Sequence, residues 1–355
     1  MAGRLTTLCV AALAGILAVA CRADESAVMP DGTVKVPRFE MPMSSLASDS
    51  AGAYWHKITS ARGLPITAPI EELRTHYDVM NGARVALMRT MYDVSVHEET
   101  VAGVSVKIVE PAGGIADGAR NKLLINLHGG AFMWGAGSGE LVEAIPIAAL
   151  SGYRVLTVDY RMAPEHVFPA GSEDVYKVYR EMLKQYDAAN IGIYGCSAGG
   201  ALTAQATAWI IDKGAPVPGA IGTFCGSGVD YGGDSVQLDP IYAGGAPVSE
   251  TGVPLTMMRL PYFSSVTEMG PLVVPGEYPG LLAKFPPTLL LAGSRDFAAS
   301  GLTVMHRRLA AAGVPSKLYL FDGFWHAFFM DAEIPESQEA YRLIVQFFRE
   351  HLGED

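Results

Sequence analysis

Ser197 stands in Gly195-Cys196-Ser197-Ala198-Gly199-Gly200, between the apolar run Ile191-Gly192-Ile193-Tyr194 and the helix-forming Ala201-Leu202-Thr203-Ala204. A strand, a glycine-flanked serine and a helix start make a sharp turn that lifts the hydroxyl clear of a sheet. Small neighbours are needed because the turn strains the serine backbone and flanking side chains would clash. The hydroxyl then stands beside the unpaired N–H groups and positive end of the following helix. Nucleophilic attack on a carbonyl is the chemistry this suits. Cys196 is the better nucleophile by type, but the turn presents Ser197 while the preceding side chain points elsewhere.

Such a nucleophile needs a base, an orienting acid and donors for the oxyanion that develops. Leu123-Leu124-Ile125-Asn126-Leu127 is a short buried-strand run ending in His128-Gly129-Gly130-Ala131-Phe132. Glycines at a strand end let backbone N–H groups face a ligand. Gly129 and Gly130 are therefore candidate oxyanion donors, with the N–H of Ala198 as a third; His128 reads as orienting the loop. Downstream, the strand-like Pro287–Gly293 leads into Ser294-Arg295-Asp296-Phe297, and Lys317–Phe321 leads into Asp322-Gly323-Phe324-Trp325-His326. Functional groups of an open parallel sheet gather beyond the carboxyl ends of its strands. His326 is the candidate base for Ser197, and Asp296 the acid that fixes its tautomer and supports its charged form. Asp322 reads as a loop group, His306 as a surface group and Glu165-His166 as structural.

The elements that must position these residues alternate. Val94/Val96 and Val104/Val106/Ile108 flank Ala102-Gly103 as an antiparallel hairpin. Strands are predicted near 122–127, 153–158, 190–195, 219–225, 287–292 and 316–321, and helices near 139–150, 171–186, 198–212, 299–312 and 336–351. That alternation predicts an α/β fold with a mostly parallel, doubly wound sheet. Residues 38–92, helical over 45–92, and an insertion at about 230–280 are expected to form a cap on a body spanning 93–355. Trp134, Met257 and Met258 could line a substrate pocket, methionine suiting adaptable apolar surfaces, or could simply pack cap against body.

In this order the segments resemble the hormone-sensitive-lipase-like branch of the α/β-hydrolases. The likeness rests on the His-Gly-Gly block, the stretch Asp159-Tyr160-Arg161-Met162-Ala163-Pro164-Glu165-His166-Val167-Phe168-Pro169-Ala170, Gly-x-Ser-x-Gly-Gly and the final Trp-His-x-Phe. It covers roughly residues 90 to 350 and leans towards bacterial esterase and lactone-hydrolase members through Ser294-Arg295-Asp296 and Trp325-His326. It implies a serine carboxylester hydrolase acting on short or medium acyl esters through an acyl-enzyme. Lactone or amide hydrolysis on the same triad, or a non-catalytic binding role on this fold, are the alternatives. Two positions depart from the family pattern: Ala131, where a third glycine is usual, and Cys196, where an aspartate commonly precedes the nucleophile.

Composition agrees with an enzyme of this kind. The 355 residues are 50% hydrophobic and 18% charged, enough apolar material for a large core. A net charge of −11 with no Lys/Arg cluster argues against nucleic acid as a partner. The histidines and the four cysteines match no metal-binding spacing, so neither metal nor cofactor is expected, and a small ester is the expected partner. Arg4 and the apolar run Leu8–Val19 form an export leader over 1–20, too short to span a bilayer. Cys21 follows it where bacterial lipoproteins carry their lipidated cysteine. Periplasmic or secreted release and lipid anchoring through Cys21 are both open. A Cys196–Cys225 disulfide is conceivable in an exported protein, as are two buried thiols.

Overall fold

Strands that are apolar on both faces are satisfied only inside a sheet covered on both sides, and this chain supplies several. The computed structural model describes residues 27–35, 40–60, 64, 67–237 and 256–353. Its strands are β1 (Ala27–Val28), β2 (Val34–Lys35), β3 (Val94–Val101), β4 (Val104–Pro111), β5 (Leu123–Leu127), β6 (Arg154–Val158), β7 (Ile191–Cys196), β8 (Ala220–Phe224), β9 (Thr288–Gly293) and β10 (Ser316–Phe321). β5, β7, β8 and β9 are buried at every position. β1 and β2 form a small antiparallel hairpin within residues 1–42, a unit distinct from residues 43–355. The leader and Cys21 lie outside the described residues.

Strands β3 to β10 form one sheet in the order β10-β9-β8-β7-β5-β6-β4-β3. β4 runs antiparallel to both of its neighbours, and the other pairs are parallel. The chain lays β6 on one side of β5, then crosses back to place β7 on the other. That reversal opens the crevice in which sheets of this kind place ligands. Leu127 of β5 pairs with Gly195 of β7, so the segments beginning at His128 and Ser197 emerge side by side.

The longer helices are α1 (Asp49–Ser60), α2 (Ile70–Met91), α3 (Leu141–Ser151), α4 (Ala170–Met182), α5 (Ala198–Asp212), α6 (Ala299–Ala311) and α7 (Pro335–His351). Side chains alternate across a strand, and two cores follow. Ile125, Ile193 and Leu290 pack with Val175, Leu202 and Leu302 of α4, α5 and α6. Leu124, Tyr194 and Leu289 pack with Ile145 and Ile344 of α3 and α7. The doubly wound arrangement is the one its sequence pattern implies. The expected helical stretch at 45–92 holds two helices, and Pro69, with extended backbone (ψ 138°), stands directly before α2. Of the expected insertion, 238–255 lie outside the described residues. Residues 234–237 form one helical turn, and from 256 on the chain runs through short turns at Met257–Arg259, Pro261–Phe263 and Pro275–Glu277. No helix among the described residues is long and apolar enough to cross a membrane.

Helices α1 and α2 are fastened to the segment that follows β10. Asp331 is the anchor: its Oδ1 accepts Tyr54 Oη at 2.8 Å and Arg84 Nε at 2.9 Å, and its Oδ2 accepts Trp325 Nε1 at 3.4 Å. The rings of Tyr54 and Trp55 lie 6.3 and 4.9 Å from that of Trp325. The Asp331 side chain is wholly buried, so removing its counter-charge strands a carboxylate out of water. Arg84→Leu is expected to lower the unfolding free energy by about 3 kcal/mol in a denaturant titration. A loss below about 1 kcal/mol would mean the ion pair adds nothing to the anchor.

Candidate active site

The turn from β7 into α5 is built as its glycines imply. Ser197 has φ 60° and ψ −122°, a backbone region that costs about 1–3 kcal/mol and persists only where its surroundings impose it. They do so here through the Ser197 N–H, which donates to the Phe224 carbonyl at 2.7 Å. A Cβ at position 199 would stand 1.8 Å from the Leu127 carbonyl oxygen, and one at 195 would stand 2.1 Å from the same atom. Only glycine lets the end of β5 run this close to the turn.

Asp296 follows β9 and is fully buried; its Oδ1 accepts the Ala298 N–H at 2.8 Å. His326 follows β10, with Nδ1 2.8 Å from Asp296 Oδ1 and Nε2 2.9 Å from Ser197 Oγ. A carboxylate only accepts, so Nδ1 carries the proton and Nε2 is left to accept the serine hydroxyl. The imidazole is 26% exposed while Asp296 has no exposure, so the open end of the relay is the serine end. The structure brings together all three residues selected from the sequence as nucleophile, base and acid.

The loop after β5 lies against the nucleophile: a Cβ at Gly129 would be 3.3 Å from the Ser197 Cβ and 3.0 Å from the Cys196 carbonyl oxygen. His128 holds this loop. Burial pushes its pKa down, its Nδ1–H donates to the Gly129 carbonyl at 2.8 Å, and its ring stacks 4.3 Å from that of Tyr160. The Gly130 carbonyl accepts the N–H groups of Met133 and Trp134 at 2.8 and 3.0 Å. Phe132 is buried, its ring 4.6 Å from and nearly parallel to that of Tyr262. Ala131 adopts φ 52°, the left-handed region that favours glycine, which accounts for the glycine usual at this position.

The candidate pocket residues sit differently from one another. Trp134 is buried and stacked on Tyr77 of α2, with centroids 4.6 Å apart. Met257 is fully buried, its N–H donating to Asp230 Oδ1 at 2.7 Å. Met258 keeps accessible surface. Asp322 accepts from Ser44 and Ser294, and Glu165 pairs with Arg74 at 2.7 Å, so both fasten loops. His306 Nδ1 lies 2.9 Å from Ser316 Oγ.

Behind the turn Cys196 and Cys225 are two buried free thiols, one of the two states the sequence leaves open; burial pushes Cys196 well up and Cys225 up to about 11. Cys225, Asp296 and His326 offer ligating atoms within 4.8 Å of one another; two of the three already share the hydrogen bond above. What sequence reading missed there is an acid. Glu143 of α3 is buried beneath the turn, and burial lifts its carboxyl to about 8 against nearby Cys196 and Asn126 groups that pull it down. A carboxyl held neutral only in the folded state costs stability as pH rises from about 4.5, where the unfolded group ionises, towards about 8. The slope is at most about 1.4 kcal/mol per pH unit. Glu143→Gln should therefore raise the thermal midpoint at pH 8 and leave it nearly unchanged near pH 4.5. A difference that stays constant across this range would contradict the buried neutral acid.

Comparison with known proteins agrees with the fold. Residues 124–330 match a family described as the α/β-hydrolase fold. The crystal structure of an esterase, E25, superposes with a TM-score of 0.75 at 30% identity, covering 90% of this chain and 99% of that one. An esterase from the bacterial hormone-sensitive lipase family also gives 0.75, at 26% identity, covering 86% and 99%. An acetyl-hydrolase of Streptomyces hygroscopicus is 26% identical over 242 residues, 66% of this chain and 77% of the relative. The chain belongs to the α/β-hydrolase fold family, in its bacterial hormone-sensitive-lipase-like branch. Within that branch it is a hydrolase of the carboxylesterase type.

Proposed function

We propose that the protein hydrolyses short and medium acyl esters through Ser197, His326 and Asp296. The observation that carries this reading is one imidazole spanning 2.9 Å to a strained, elbow-borne hydroxyl and 2.8 Å to a buried carboxylate. Ser197 Oγ attacks the ester carbonyl carbon as its proton passes to His326 Nε2. The carbonyl oxygen becomes an oxyanion facing the N–H groups of Gly129, Gly130 and Ala198. The C–O bond to the alcohol breaks, and Nε2 returns the proton to the leaving oxygen. Water then attacks the acyl-serine, giving its proton to Nε2, and the acid leaves as Ser197 regains its hydrogen. Asp296 holds the Nδ1–H tautomer throughout and balances the imidazolium charge. No metal or cofactor enters these steps. Export through the apolar leader, with release or anchoring at Cys21, belongs to the same reading. The acetyl-hydrolase relative supports small acyl groups; a lactone would differ only in that the leaving alcohol stays tethered to the acyl chain.

Purified protein should release p-nitrophenol from its acetate and butyrate esters. Ser197→Ala should lose about 10⁴-fold or more in kcat, and Asp296→Asn about 10³–10⁴-fold by removing the tautomer lock. Wild-type turnover no greater than that of Ser197→Ala would overturn the catalytic reading in favour of a binding protein.

A further inference from the structure

The His326 ring has a neighbour to which the reaction above gives no task. Phe297 directly follows Asp296, and its ring lies on the imidazole with centroids 4.3 Å and planes 26° apart. Tyr231 also meets Phe297, edge to face, at 5.0 Å and 80°. The backbone beneath is fixed as well. Ser235 Oγ donates to the Phe297 carbonyl at 2.7 Å and accepts the Ser300 N–H at 3.0 Å. Tyr231 is held through its N–H on Asp230 Oδ1 at 2.8 Å, the oxygen that also takes the Met257 N–H. The phenyl ring is therefore clamped while remaining half-buried.

An imidazole that hydrogen-bonds at both nitrogens must keep one plane, because rotation about its Cβ–Cγ bond lifts both contacts together. A flat ring against its face opposes that rotation. The same face carries the negative lobe of the aromatic quadrupole, which attracts a cation stacked upon it. Leucine would fill the space but supply neither effect. Ionisable groups of the described residues reach the imidazole from three strand ends: Ser197 after β7, Cys225 after β8 and Asp296 after β9. Tyr231 packs on Phe297. Burial holds the Cys225 thiol and the Tyr231 phenol neutral, so the charge in contact with the ring edge is that of Asp296, and the phenyl quadrupole acts across its face.

We propose that Phe297 is a positioning residue for His326: braced by Tyr231, its ring holds the imidazole in the plane that serves Asp296 and Ser197 together and favours the imidazolium formed during turnover. This rests on the ester-hydrolase reading above. Phe297→Leu, Phe297→Met and Phe297→Tyr are assayed with wild type on p-nitrophenyl butyrate across pH, and thermal midpoints are recorded. For the leucine and methionine variants we expect kcat to fall about tenfold with KM changed less than about twofold. The acidic limb of kcat should move about half a pH unit lower, because a cation deprived of a ring face gives up its proton more readily. Phe297→Tyr keeps the face and should restore both rate and limb. An active wild type with leucine and methionine variants that match it in rate and limb would overturn the proposal. So would equal losses in all three variants with an unmoved limb, which is the result of packing alone. A wild type without turnover would instead condemn the ester-hydrolase reading on which this one stands.

Discussion

His326 can serve Ser197 and Asp296 at once only while its ring plane is fixed, because the two nitrogens lie on opposite edges of a ring that rotates about one bond. Each partner arrives at the imidazole by a different route. Ser197 is lifted by a strained turn between β7 and α5, while Asp296 is sunk at the end of β9 and fixed by the Ala298 N–H. Neither can move to follow a wandering ring. The strain at Ser197, the burial of Asp296 and the clamp around the segment after β10 are three expressions of the same requirement.

That requirement explains why the N-terminal helices belong to the chemistry although none of their side chains enters it. Trp325 immediately precedes the imidazole and is covered by Tyr54 and Trp55 of α1. Asp331, a few residues further on, is held by Arg84 of α2. Helix α2 also reaches the other half of the site: Arg74 donates to the Met133 carbonyl at 3.0 Å, and Tyr77 covers Trp134. The same helix thus presses on the segment after β5 and on the segment after β10, between which the nucleophile stands. Cys196, Cys225 and Glu143 are kept neutral by burial, which leaves the Asp296 carboxylate without a competing anion from these groups.

Much of this could be read from the chain because its signals are local. The strands show as uninterrupted apolar runs, and the elbow shows as glycines at positions where any Cβ would strike the Leu127 carbonyl. Nucleophile, acid and base each follow a strand, so topology alone predicts their meeting. The unread parts are contacts between distant segments. Asp331 follows an aromatic run with nothing to mark it as the partner of Tyr54 and Arg84, and Phe297 looks like any apolar residue entering a helix. Glu143 sits in Leu141-Val142-Glu143-Ala144-Ile145, where the apolar neighbours were the available hint of burial. Ala131 was visible as a departure from the family pattern, but its φ of 52° was not. Pro69, extended just ahead of α2, marks the start of a second helix inside a stretch read as helical over 45–92.

The most direct test of the account is to trap the nucleophile with an alkyl fluorophosphonate, whose phosphorus takes the place of the tetrahedral carbon, and to locate the adduct by peptide mass spectrometry. One equivalent should add to the peptide carrying Ser197, with loss of fluoride, and replacement of His326 by alanine should slow labelling by orders of magnitude. Labelling on another residue, or at Ser197 with a rate indifferent to His326, would contradict the claim that these groups act as one relay.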